Sequence, residues 1–193
     1  MKLFSIIILI FFAFVWVVAA SPYFPQGSIS DFEQEWYGKH LAAMKEPVLS
    51  PVGKGTDYFA FRVIYLPTWG PPIAVRYAGE DEAFIRRSVK LSGHGGYAPG
   101  KIAFEKQENV PKSEVAELIM ALDKAGFWKM PQKDEVVGLD GSKLIVETIK
   151  DGEHRVRVRW TPEYDAVKRN LSGIVAIYKS QFQNAGIWEK DGG

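Results

Sequence analysis

The chain has 193 residues, and its 24 Lys+Arg against 23 Asp+Glu leave a formal charge of only +1. That balance gives no bulk electrostatic drive towards nucleic acid or an anionic membrane, so no nucleic-acid partner is expected. The absence of Cys excludes disulfides, thiolate metal sites and a Cys nucleophile, and the 13% aromatic content supplies a core that can hold by packing alone.

Lys2, an apolar run over residues 3–18 and Ala19-Ala20 form the pattern of a secretory signal peptide, residues 1–20. Two outcomes stand for this segment: cleavage after Ala20, which leaves no stable membrane span, or retention as an N-terminal anchor. Either way the domain is expected outside the cytoplasm, periplasmic or extracellular. Residues 21–28 read as a disordered or extended leader, 29–186 as one domain, and 187–193 as a flexible tail.

Ser30 and Glu33 fit a capping box, so a helix is expected over 31–45. Phe32, Trp36 and His40 follow at four-residue spacing beside Tyr37, Leu41 and Met44, which predicts one apolar stripe. His40 reads as a hydrogen-bonded member of that stripe, because no second ligand stands at metal spacing. Strands follow over 57–66, 73–78, 82–91 and 101–107, and the first is apolar on both alternating sets. Short links argue for an antiparallel meander. Between the third and fourth strands lie Gly93, Gly95, Gly96 and Gly100. No Lys-Ser/Thr pair and no helix follow, so this is no phosphate cradle. It reads as a rigid loop, or as a ligand contact through His94 or Tyr97.

Pro111 suits a helix start, and Val115, Leu118, Ile119 and Leu122 make its apolar face up to Gly126. Asp151-Gly152 then joins two alternating runs, 143–150 and 153–160. A two-residue type I′ turn fixes their register: Thr148 faces Arg155, Glu147 faces Val156, Ile145 faces Val158 and Lys143 faces Trp160. Arg155, Arg157 and Arg159 share one face. Glu147 falls among apolar residues on the other and needs a cationic partner, Arg62 or Arg76. Thr161-Pro162 predicts a last helix running to about Asn184, with Val167, Leu171, Ile174, Val175, Tyr178 and Phe182 buried. The sum is an α+β fold: one domain, a mostly antiparallel sheet of about six strands, and three helices on one face.

Several motifs together resemble a bacterial family of small exported proteins without an assigned reaction: Trp36-Tyr37 with Lys39-His40-Leu41 and Glu46-Pro47, Pro72-Ile73-Ala74-Val75-Arg76, Leu91-Ser92-Gly93 with Gly95-Gly96-Tyr97 and Pro99-Gly100-Lys101, Gly126-Phe127-Trp128, Gly138-Leu139-Asp140-Gly141-Ser142 with Glu147, and Arg159-Trp160 with Pro162. The chain departs from that pattern at Leu144, where an aromatic residue is expected, and at Glu153-His154, where Tyr-His is. The resemblance implies export and an α+β fold, and no reaction.

Function reads first as a non-enzymatic binding or interaction module for a small ligand or protein partner, with Arg76, His94, Tyr97, Asp140, Glu147 and Arg159 as binding residues. The alternative is a hydrolase-like enzyme using Asp140, Glu147 and His154, with an arginine holding an anion. A third reading is a structural envelope or immunity-type protein. No Gly-x-Ser-x-Gly elbow or His-Glu-x-x-His motif is present, and no metal or cofactor is indicated.

Overall fold

Strand β1 (Phe59–Pro67) is apolar on both of its alternating sets, and the sheet is laid out around it. In the computed structural model, which describes residues 22–188, β1 pairs on one flank with β2 (Ile73–Glu80) and on the other with β5 (Ser142–Lys150). The meander continues outward through β3 (Ala83–Leu91) and β4 (Ile102–Val110). Helix α2 (Lys112–Lys124) then returns the chain to the far flank of β1, where β5 and β6 (Glu153–Trp160) form a hairpin. The result is a six-stranded antiparallel sheet in the order β4-β3-β2-β1-β5-β6.

The fold class matches the sequence reading, but the helices divide between the two faces. Phe59, Phe61, Val63, Val75, Tyr77, Leu144 and Val146 pack under α2 and α3 (Ser172–Asn184). Ile64, Leu66, Ala74, Val89, Ile145, Val156 and Val158 pack under α1 (Asp31–Ala43) through Tyr37, Leu41 and Met44. The expectation of three helices on one face is therefore corrected. A strand that is apolar on both sides needs cover on both, and the helix preceding it supplies the second layer.

The hairpin register is the expected one, including Glu147 opposite Val156 and Thr148 opposite Arg155. Asp151 and Gly152 have φ of 54° and 74°, as a type I′ turn demands. The capping box is also present: Glu33 N donates to the Ser30 hydroxyl, and the Glu33 carboxylate accepts from Ser30 N at 2.9 Å. Helix α1 stops two residues before the expected end because Lys45 turns left-handed, with φ of 57°. Glu46 N then donates back to Leu41 O at 2.9 Å, and the chain is redirected towards the sheet.

The last helix begins later than Thr161-Pro162 suggests. Thr161 takes φ of 34°, and Asp165 and Asn170 are left-handed as well, so residues 161–170 form a series of turns. An N-cap residue that bonds through its side chain typically has an extended backbone, whereas Thr161 has a positive φ. The Arg169 guanidinium holds these turns, donating to the carbonyls of Trp160, Thr161 and Tyr164 at 2.8 Å each. Val167, expected inside, is 84% exposed as a result.

Both ends of the described chain are docked more firmly than the sequence reading has it. Phe24, in the supposed leader, is 1% exposed and meets the Tyr37 ring edge-on at 6.2 Å. Ile187 is buried, and Trp188 stacks on Phe182 at 5.7 Å. The signal segment, residues 1–20, and the tail beyond Trp188 lie outside the described residues. Replacing Phe24 by Ala should lower unfolding free energy by about 3–5 kcal/mol in urea titration, the usual cost of emptying a buried aromatic site. A change within measurement error would mean that 22–28 contributes nothing to the core.

Candidate functional site

The α1 face of the sheet carries a row of charges inside an apolar layer. Arg62 on β1 is fully buried and stands in register between Arg76 on β2 and Glu147 on β5; Arg76 in turn opposes Arg87 on β3. Strand alternation puts all four on one side. Arg62 Nε donates to Glu147 at 2.9 Å, so of the two arginines expected to partner Glu147, Arg62 is the one. Glu46, delivered by the left-handed turn at Lys45, closes the row from above. Its carboxylate accepts from Arg76 Nε at 2.8 Å, from Arg62 at 3.4 Å, and from Arg87.

Further donors of Arg62 and Arg87 are met by carbonyls and by a carboxylate. Arg62 donates to Pro47 O at 2.6 Å, and Arg87 to Met44 O at 2.7 Å and to Glu105 at 2.8 Å. The His154 ring nitrogen Nε2 lies 2.7 Å from the second oxygen of Glu147. Three guanidinium groups thus face three carboxylates, Glu46, Glu105 and Glu147, and the inner members have no contact with solvent. A carboxylate so enclosed cannot meet a substrate. What the arrangement does is tie the exit of α1 directly to three strands, β1, β2 and β3, and through Arg62 to β5. Sequence reasoning missed Arg87, and it met Glu46 only as part of the Glu46-Pro47 motif, without a role in the site. The signal for Arg87 was its parity with Ile85, Val89 and Leu91; Glu46 carries none, because a loop residue has no period.

The other expected site residues do not join this row. Asp140 lies in the exposed 138–141 turn, where its carbonyl accepts from Trp160 Nε1 at 3.1 Å. Arg159 is buried on the opposite face and donates to Pro131 O at 2.7 Å and Gln132 O at 3.1 Å. Of the set Asp140, Glu147 and His154, only the last two touch. Five residue-to-residue steps along β1 carry the chain from Arg62 to Pro67 at the rim, about 17 Å at roughly 3.4 Å each, so the expected surface joining Glu147 and Arg76 to the glycine loop is two separate places.

The rim itself is a second site. The 92–101 loop folds on itself through Gly93 N to Pro99 O at 3.0 Å and His94 N to Ala98 O at 2.9 Å. Gly95 and Gly96 press onto the β1–β2 turn, with Gly95 N donating to Gly70 O at 3.0 Å and Gly96 N to Thr68 O at 3.3 Å. A Cβ on Gly95 would lie 2.5 Å from the carbonyl carbon of Leu66, so only glycine permits this approach. Trp36 Nε1 donates to Gly95 O at 2.9 Å from α1. Thr68 N donates to Gly141 O at 2.8 Å, which brings the 138–141 turn to the same end of the sheet.

This docking gathers aromatic rings that remain in solvent. Trp69 is 64% and Tyr97 50% exposed, with ring centroids 5.0 Å apart. Phe32, expected within the buried stripe of α1, is 70% exposed and lies against Trp36 at 5.8 Å. Phe32, Glu35, Trp36, Lys39 and Gly96 line a shallow pocket of about 350 Å³. His94 is exposed beside Tyr97.

His40 lies one turn further along α1, fully buried, and neither ring nitrogen makes a hydrogen bond. The sequence reading of a hydrogen-bonded histidine holds only as a weak contact with the Gly95 backbone. Desolvation, with Lys39 adding to it and the Gly95 backbone opposing it, pushes its pKa down to about 4. Among the described residues no group of three acidic or histidine side chains is placed to hold a metal ion.

Two outcomes are expected. Arg62→Met strands Glu147 and should cost about 3–5 kcal/mol in chemical denaturation, while the pair Arg62→Met with Glu147→Leu should recover part of it. His40 is neutral when folded and titrates near 6.5 when unfolded, so the unfolded chain binds the extra proton. Stability should therefore fall as pH drops from about 6.5 towards 4, and His40→Leu should flatten that slope in melts taken across the range.

The chain matches no protein-family model, and none of the curated proteins compared with it is significantly similar.

Proposed function

We propose that this protein is an exported, non-enzymatic binding module whose ligand surface is the glycine-loop rim. One observation carries the reading. Three segments far apart in sequence, α1, the β1–β2 turn and the 92–101 loop, are locked together by backbone hydrogen bonds and a Trp36 contact, and what they hold in common is a set of exposed aromatic rings. Large rings left in water forgo the burial that the rest of the chain uses, and grouped exposure of this kind marks an interaction surface. Support for export comes from Lys2, the apolar run 3–18 and Ala19-Ala20. Among the described residues no helix is long and apolar enough to cross a membrane.

The hydrolase alternative draws support only from the Glu147–His154 contact. Asp140 stands at the other end of the sheet, and Arg62 already occupies Glu147.

The test is a thermal-shift screen of the purified protein against sugars, nucleotides and metal salts. A ligand at a hundred times its Kd should stabilise the fold by about 2.7 kcal/mol. The shift should persist in Val167→Ala, whose side chain is exposed among the turns after β6, and vanish in the double variant Trp69→Ala/Tyr97→Ala. A ligand that shifts both variants equally would move the site away from the rim. Mass spectrometry of the protein from its native cell should find a chain beginning at Ser21; an intact Met1 on membranes would assign the first segment as an anchor.

A further inference from the structure

We infer that the rim takes carbohydrate, a neutral oligosaccharide of several units; this rests on the binding reading above and names its ligand class. The first argument is the kind of surface. On α1, the β1–β2 turn and the 92–101 loop the strongly exposed large hydrophobic residues are aromatic, Phe32, Trp69 and Tyr97, and the adjoining 138–141 turn adds one aliphatic, Leu139. Aromatic faces are electron-rich, and they attract the weakly positive C–H face of a pyranose ring without needing a second hydrophobic wall.

Charge and polarity point the same way. Glu35 and Lys39 flank the pocket with one charge of each sign, and neither enters an ion pair with a described residue. Their fields cancel at a distance, which disfavours a phosphate or a strongly anionic partner. At contact they offer an acceptor and a donor, which is what a ring bearing hydroxyl groups uses. His94 adds a polar group that can both donate and accept beside Tyr97.

The arrangement also sets the ligand's length. Phe32 and Trp36 form one ring pair, and Trp69 and Tyr97 form the other. Gly96 lies between them: it lines the pocket of the first pair and hydrogen-bonds to Thr68, next to Trp69. Gly96 thus joins the backbone beneath one pair to the backbone beneath the other, and the close approach to Thr68 that joins them leaves little room for a side chain. A single sugar reaches one pair, whereas a linear chain reaches both.

Isothermal titration of the purified protein with cellohexaose, chitohexaose and maltohexaose, alongside vesicles of phosphatidylcholine with phosphatidylglycerol, tests this. At least one hexasaccharide should bind, and its disaccharide should bind at least about tenfold more weakly, a difference of roughly 1.4 kcal/mol. Trp69→Ala and Tyr97→Ala should each weaken binding by a similar factor, while Trp69→Phe retains most of it. Melting curves of each variant establish that it is folded, and Trp69→Phe keeps the test open should the Ala variant unfold. Three results would overturn the proposal: no binding by any hexasaccharide, equal affinity for disaccharide and hexasaccharide, or glycan binding indifferent to both Ala variants. Vesicle binding that needs Trp69 and Tyr97, without glycan binding, would overturn the carbohydrate assignment and leave the rim a binding surface. Loss of the rim in the broader ligand screen would remove both readings.

Discussion

Arg62 is the constraint around which the molecule is arranged. A guanidinium group at the centre of a sheet has given up its hydration, and the loss must be met by carboxylates and carbonyls brought to it. Those partners come from three directions: Glu147 from the neighbouring strand, Glu46 from the end of α1, and Pro47 from the loop beyond. The second helical layer is thereby fixed to the sheet by charge as well as by Tyr37, Leu41 and Met44. A purely apolar interface would let α1 slide along the sheet; the paired charges specify one position.

That position has an effect at the other end of the same helix face. With α1 held through Glu46, Trp36 is set where it can reach Gly95, and the glycine loop is caught between helix and turn. The buried row and the exposed rim are thus two ends of one lever. One is closed and balanced, with every inner charge partnered. The other is open, and its rings are ordered by neighbours and not by burial.

Much of this was legible in local sequence, for reasons that differ by element. The β5–β6 register follows from Asp151-Gly152 because a type I′ turn leaves no freedom of pairing. The start of α1 follows from Ser30 and Glu33, whose reciprocal bonds are made within one turn. The side of the sheet that α1 covers is not legible, since an amphipathic stripe records that a face is buried and not which partner buries it. Residues 161–170 escaped for a similar reason: Arg169 acts on carbonyls that only the finished fold brings near it. Of the rim, Tyr97 and His94 were visible as loop residues beside glycine. Trp69 was not, because a single aromatic residue in a turn has no period, and Phe32 was misplaced because its four-residue spacing with Trp36 and His40 imitates burial.

The pairing at the centre of the sheet also orders the assembly of the chain. Arg62 and Glu147 are 85 residues apart, whereas β2 and β3, or β5 and β6, meet across a turn of a few residues. Hairpins close within microseconds, but β1 can join β5 only after α2 and its connection have been spanned. Until then both side chains are hydrated, and the water is stripped from them together at the closing step. The expected consequence is a folding barrier with an ionic component, so that salt should change the rate at which this sheet closes more than it changes the packing of the finished core.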